Sequence, residues 1–166
     1  SMEETLNKVK ELLKTAKSAI IAAHVDPDGD AIGSMLAVGR VLEKQGLSIT
    51  MYSADGVPKL YRFLAGADKV VKYPPTQKIF DLAFVLDSSD ISRIGSAIEL
   101  RNIAKTIINI DHHPDNTKFG DLNCVRASSS TAEIIYDCIK SFLPVIDRET
   151  AECLYTAIVT DTGNFR

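Results

Sequence analysis

A chain of 166 residues, 45% apolar and 25% charged, is long enough for one domain with a sizeable core and has an ordinary globular composition. Its net charge of −3 offers no broad basic surface for long duplex nucleic acid, and no apolar stretch approaches the roughly 20 residues of a membrane span. The N-terminus reads as an amphipathic helix rather than a signal peptide, and the cysteines (Cys124, Cys138, Cys153) are odd in number without a C-x-x-C pair, so a cytoplasmic protein with reduced thiols is expected.

Leu6, Val9, Leu13 and Ala16 make a helical stripe within residues 3–17. An apolar strand at 19–23 then runs into His24-Val25-Asp26-Pro27-Asp28-Gly29-Asp30. Pro27 and Gly29 mark a tight non-helical turn, which crowds an imidazole and three carboxylates into one loop. Unpaired carboxylates that close repel one another, and a divalent cation relieves the repulsion. Oxygen and imidazole ligands without thiolate suit manganese or magnesium better than a structural zinc. The bland alternative is a solvated acidic turn.

Helical spacing resumes at Ala31 through Ile32, Met35, Leu36, Gly39 and Leu42, with Gly46 as a stop. A strand over 47–53 and a short helix over 58–65 follow. The strand Leu82-Ala83-Phe84-Val85-Leu86 runs straight into Asp87, and Thr106-Ile107-Ile108-Asn109-Ile110 runs into Asp111-His112-His113, with a helical patch around 94–104 between them. Ser130-x-x-Glu133 is a capping box ahead of the stripe Ile134, Ile135, Cys138, Ile139 and Phe142. Asp147 can cap a last helix through Ala151, Leu154, Tyr155 and Ile158, which delivers Asp161 in Thr160-Asp161-Thr162-Gly163-Asn164-Phe165.

Near-continuous apolar strands alternating with amphipathic helices predict an α/β fold, a parallel sheet covered by helices on both faces. In such sheets ligands sit beyond the carboxyl ends of the strands. All three histidines of the chain fall at those ends, beside the carboxylates.

The ordered motifs His24-x-Asp26-Pro27-Asp28-x-Asp30-Ala31-x-Gly33-Ser34, Asp87, Asp111-His112-His113 and Asp161-Thr162-Gly163-x-Phe165 resemble the DHH phosphoesterase superfamily. Arg62-Phe63-Leu64-x-Gly66, Arg93-Ile94-Gly95 and Ser129-Ser130-Thr131-x-Glu133 look most like its NrnA-type branch of nanoRNases and 3′-phosphoadenosine 5′-phosphate phosphatases. The resemblance implies a Rossmann-like DHH domain carrying two manganese ions, with magnesium or cobalt as alternatives. One ion would be held by His24, Asp28 and Asp87, the other by Asp30, Asp87, His112 and Asp161, with Asp87 as the bridge. Four carboxylates and two divalent ions cancel in charge, leaving a phosphate as the extra anion. Such a pair of ions can activate a bridging water. Asp111 would orient a histidine, and His113 would contact phosphate or donate a proton to the leaving group; the alternative is a purely supporting histidine. Asp26 would support the metal loop or simply form its turn. Ser34, behind Gly33 at a helix start, and Arg166 are candidate substrate contacts, against a packing glycine and a free terminal side chain.

The implied activity is metal-dependent hydrolysis of short single-stranded oligoribonucleotides, of 3′-phosphoadenosine 5′-phosphate, or of both. A family II-like inorganic pyrophosphatase or another DHH nucleotide phosphodiesterase is the alternative within the enzyme class. A non-catalytic nucleotide-binding module is the alternative outside it. Residues 2–166 are expected to form the catalytic DHH domain. The resembled proteins carry a further C-terminal DHH-associated substrate domain, absent from this sequence, so weak activity of this chain alone is expected. A homodimer of the longer protein and no membrane partner complete the expectations.

Overall fold

A computed structural model of the chain describes residues 1–76 and 78–161. Five strands form one parallel sheet: β1 (Ser18–Ala23), β2 (Ser48–Tyr52), β3 (Phe80–Leu86), β4 (Ala104–Asp111) and β5 (Leu122–Val125), in the order β2-β1-β3-β4-β5. The α-helices are α1 (Met2–Thr15), α2 (Gly29–Lys44), α3 (Thr131–Lys140) and α4 (Arg148–Asp161).

The apolar strand runs are explained by burial on both faces. Alternate residues of β1 divide between two cores. Ala19, Ile21 and Ala23 pack with Leu82, Phe84, Leu86, Ile108 and residues of all four α-helices. Ile20 and Ala22 pack with Ala83, Val85, Ile107, Ile94 and Leu100. The expected coverage of both faces is therefore met unevenly: α-helices lie on one side, and short 3-10 turns at Ile91–Ile94 and Leu100–Asn102 lie on the other.

Local sequence explains several departures from expectation. The helical patch around 94–104 is broken by Gly95 at φ 102, and its last residue already belongs to β4. The segment 58–65 tightens to a single 3-10 turn at Lys59–Tyr61. Strand β5 escaped the pattern because it is four residues long and only Cys124 within it is buried. Helix α2 begins at Gly29, two residues before the apolar stripe, because the Asp28 side chain accepts from Ala31 N at 2.9 Å and caps it. Asp30 thereby sits inside the first turn of a helix, where a carboxylate is favoured by the helix dipole.

Helices α2 and α4 run antiparallel and are pinned at both ends. At one end Asp147 accepts from Thr150 N at 2.8 Å, capping α4, and is gripped by Arg40 (3.2 Å) and Lys44 from the far end of α2. At the middle and the other end the helices meet on glycines. A Cβ on Gly33 would lie 2.4 Å from Cys153 O, and one on Gly29 would lie 2.2 Å from Thr160 Oγ1. The end of α4 is thus delivered to the start of α2.

Strand β1 has β2 on one side and β3 on the other, so the winding of the sheet reverses there and opens a crevice at the carboxyl ends of β1 and β3. Among the described residues, no helix is long and apolar enough to cross a membrane. The cysteines are free thiols, with Cys124 and Cys153 buried.

Candidate metal centre

The pairing of Ala23 with Leu86 makes His24 and Asp87 the next residues out of adjacent strands, at the reversal point of the sheet. His24 Nε2 lies 3.3 Å from Asp87 Oδ2 and 3.7 Å from Asp28 Oδ1. Its Nδ1 is spoken for by Val25 O at 2.7 Å, which leaves Nε2 as the atom that could meet a cation. Asp87 is 2% exposed and adopts a left-handed backbone at φ 53, a conformation tolerated better by Asp than by most residues. That turn lets its carboxylate stand between two histidines, Oδ2 toward His24 and Oδ1 toward His112 Nε2 at 3.4 Å. Thr131 Oγ1 donates to the same Oδ1 at 3.1 Å.

Asp30 is 1% exposed, and the N-terminus of α3 is aimed at it. Thr131 N donates to Oδ2 at 2.9 Å and Ala132 N to Oδ1 at 3.0 Å. Two backbone donors and the positive end of the α3 dipole offset a negative charge on this buried carboxylate. His112 Nε2 stands 3.6 Å from Oδ2, and its Nδ1 is oriented by Ser128 O at 3.0 Å. Ser34, expected at a phosphate, is fully buried on α2 and its hydroxyl faces Asp30 Oδ1 at 3.4 Å. Its place is behind the carboxylate, not toward a substrate. Gly33 beside it serves close packing against α4.

The charge balance is strongly negative at the crevice floor. Burial works against protonation of His24, but hydrogen bonds to Asp28 and Asp87 and to Val25 O outweigh it and raise its pKa to about 10. The hydrogen bond to Asp87 raises His112 to about 9 against a smaller opposing effect of burial, with Ser128 O and the charge of Asp30 adding to it. Burial would push the Asp87 carboxyl up, yet the hydrogen bonds from His112 and His24 hold it well below the usual carboxylate range. The carboxylates thus raise both imidazoles, the direction expected where negative charge is concentrated.

Asp111 has no exposed surface; its Oδ1 takes a hydrogen bond from His113 Nδ1 at 2.6 Å and its Oδ2 one from Asn116 Nδ2 at 2.8 Å. Asp26 is exposed at φ 51, and its N–H donates to Asp55 Oδ2 at 2.6 Å, so it shapes and anchors the turn. Asp161 is the last residue of α4; its side chain, like Arg166, lies outside the described residues. The sequence assigns no role to Thr131, although it lies in the Ser129-Ser130-Thr131-x-Glu133 motif, nor to Asn109 and Asn116. Asn109 left a signal, a buried amide in the middle of an apolar strand.

The donor set fits divalent cations. His24, Asp28 and Asp87 offer ligand atoms all within 4.8 Å of one another, and so do Asp87, His112 and His113. Neither group contains a thiolate, which points to hard cations that accept imidazole. The second group includes His113 in place of the expected Asp30. His113 Nδ1 is nevertheless committed to Asp111, whereas Asp30 Oδ2 lies 3.6 Å from Nε2 of His112.

The model of the DHH family, N-terminal domain, matches residues 18–158. The chain is 39% identical to the bifunctional oligoribonuclease and PAP phosphatase NrnA of Thermus thermophilus, over 98% of this chain and 49% of that protein. It is 29% identical to the protein of the same name from Bacillus subtilis, over 93% of this chain and 50% of the relative. The chain therefore spans about half the length of these curated relatives. Among solved structures, an exopolyphosphatase-related protein from Bacteroides fragilis superposes with a TM-score of 0.91 at 27% identity, over 98% of this chain and 51% of that one.

Proposed function

The chain belongs to the DHH family, and on that premise we propose that it is the catalytic domain of a metal-dependent phosphoesterase acting on short oligoribonucleotides and on 3′-phosphoadenosine 5′-phosphate. The observation that carries this reading is the position of Asp87, a buried carboxylate with one oxygen toward His24 and the other toward His112. A bridge between two cations requires that placement. His24, Asp28 and Asp87 would hold one manganese-class ion; Asp30, Asp87, His112 and Asp161 would hold the other. The naming of the Thermus and Bacillus relatives supports the substrate class.

Bound ions would supply the positive charge that draws in a phosphate and the Lewis acidity that lowers the pKa of water. The remaining work belongs to this chain's own groups. Helix α3 holds Asp30 in place through two N–H donors. Val25 O and Ser128 O fix the rings of His24 and His112 with Nε2 inward. Asp111 takes the hydrogen bond of His113 Nδ1–H, so Nε2 is the atom left toward the substrate: unprotonated in the neutral ring, it becomes a donor to a phosphate oxygen or to the leaving group once the ring takes up a second proton. Residues 2–166 are read as the catalytic domain, with closure over the substrate supplied by a C-terminal DHH-associated domain, for which the greater length of the relatives is the support.

Condensed phosphate is the second reading, favoured by the likeness to the exopolyphosphatase-related structure. One experiment separates them: product time courses under manganese on a labelled diribonucleotide, a five-mer, 3′-phosphoadenosine 5′-phosphate and pyrophosphate. Turnover of the first three with pyrophosphate untouched is the expected result. Hydrolysis of pyrophosphate alone would overturn it.

A further inference from the structure

We infer that Asn116 is a positioning residue for His113: it clamps the buried Asp111 carboxylate and, through it, fixes the His113 ring in the Nδ1–H tautomer, with Nε2 offered to the substrate. The inference rests on the reading of His113 as the group that meets the phosphate.

The argument is a hydrogen-bond count. Asn116 Oδ1 accepts from Lys118 N at 2.6 Å, so this atom is the carbonyl oxygen and the amide cannot be reversed. Its Nδ2 then donates to Asp111 Oδ2 and to Asn109 Oδ1, both at 2.8 Å. Asn109 is fully buried in β4, and its own Nδ2 donates to Val85 O at 3.0 Å and Ser88 O at 3.2 Å. A single chain of amides therefore runs from the backbone on either side of Asp87 to the Asp111 carboxylate, with Ser88 O at 3.4 Å as a further, longer acceptor for Asn116 Nδ2, and the orientation of each amide is determined.

The carboxylate end is where a clamp is needed. The terminal torsion of an Asp side chain is broad and only two-fold, so a carboxylate held at one oxygen can swing. Asp111 is held at both, by Asn116 at Oδ2 and by His113 at Oδ1. At 2.6 Å a carboxylate oxygen accepts and the ring N–H donates, so the contact with Oδ1 places the proton of His113 on Nδ1. The His113 side chain is 40% exposed, lies 3.9 Å from Asp87 and tilts against the His112 ring at 4.5 Å between centroids, so its short hydrogen bond to Asp111 is what fixes the rotation of the ring. Without Asn116 the carboxylate would be free to rotate and the ring with it.

The test is the tautomer of His113, read from its ring-nitrogen shifts in long-range proton–nitrogen NMR spectra with diamagnetic magnesium. Manganese content and diribonucleotide kinetics are measured in parallel. The wild type should show a single Nδ1–H form. Asn116→Ala, and Asn116→Asp as a variant that keeps the acceptor for Lys118 N, should show averaged or mixed forms. Each should lower kcat by about 10–100-fold with KM and manganese content little changed. A His113 tautomer identical to wild type in both variants overturns the inference, as does an unchanged kcat. His113→Ala separates the two levels of the claim. If it turns over normally, the catalytic reading of His113 fails, and the spectra still decide whether Asn116 positions the ring.

Discussion

Gly29 and Thr160 touch so closely that a Cβ on Gly29 would lie 2.2 Å from the threonine Oγ1. Gly29 stands between Asp28 and Asp30, and Thr160 directly precedes Asp161. This contact ties the turn that carries Asp28 and Asp30 to the end of α4. Gly29→Ala should force the two helix ends apart and destabilise the fold by about 1–3 kcal/mol, the usual range for overpacking. If Asp161 ligates, the same variant should bind its second manganese more weakly than its first. Thermal unfolding and a manganese titration check both parts; wild-type values in each would show that the contact is dispensable.

Two adjacent histidines are expected to behave differently. His112→Ala removes an imidazole whose Nε2 faces both Asp30 and Asp87 and should lose metal. His113→Ala should keep metal and lose turnover, because its Nδ1 is engaged by Asp111. Metal content by elemental analysis, beside turnover, is the check. Equal loss of metal in the two variants would place His113 among the ligands, as the second geometric group permits.

Acid stability should depend on Asp147. Burial alone would raise its pKa, but hydrogen bonds from Lys44 and from the hydroxyl and N–H of Thr150, with the charge of Arg40, hold it well below the usual carboxylate range. A folded pKa below the unfolded one means that the stabilisation is complete above the unfolded value near ~3.9 and is lost as pH falls through the folded value. Asp147→Asn should thus lower the unfolding temperature at neutral pH and narrow the gap to wild type as the pH is taken below ~4. A constant difference between the two proteins across that range would assign the effect to something other than the charge.

Much of this centre was legible in the sequence because its residues follow the apolar strands directly. His24, Asp87, Asp111 and His112 each come at or just after a strand end, and a parallel sheet gathers such positions into one crevice. What could not be read was the supporting chemistry from distant elements. The Thr131 and Ala132 donors reach Asp30 across about a hundred positions of sequence, and nothing local to either partner announces the pairing. Ser34 was misplaced for a related reason: an early helical serine looks like a phosphate contact until the helix is found to be buried on that side. The start of α2 was read two residues late because its apolar stripe begins after the cap, and caps are polar. β5 was too short and too weakly buried to leave a pattern.

The most direct measurement is manganese binding and diribonucleotide hydrolysis, followed in the same samples of wild type and Asp87→Ala, with circular dichroism to confirm that both are folded. With Asp87 as the bridge, the wild type should take up about two ions per chain and turn over only when they are bound. Asp87→Ala should bind both ions more weakly and lose turnover. A folded Asp87→Ala protein that retains two tightly bound ions and hydrolyses the dinucleotide at the wild-type rate would contradict a metal centre built on this carboxylate.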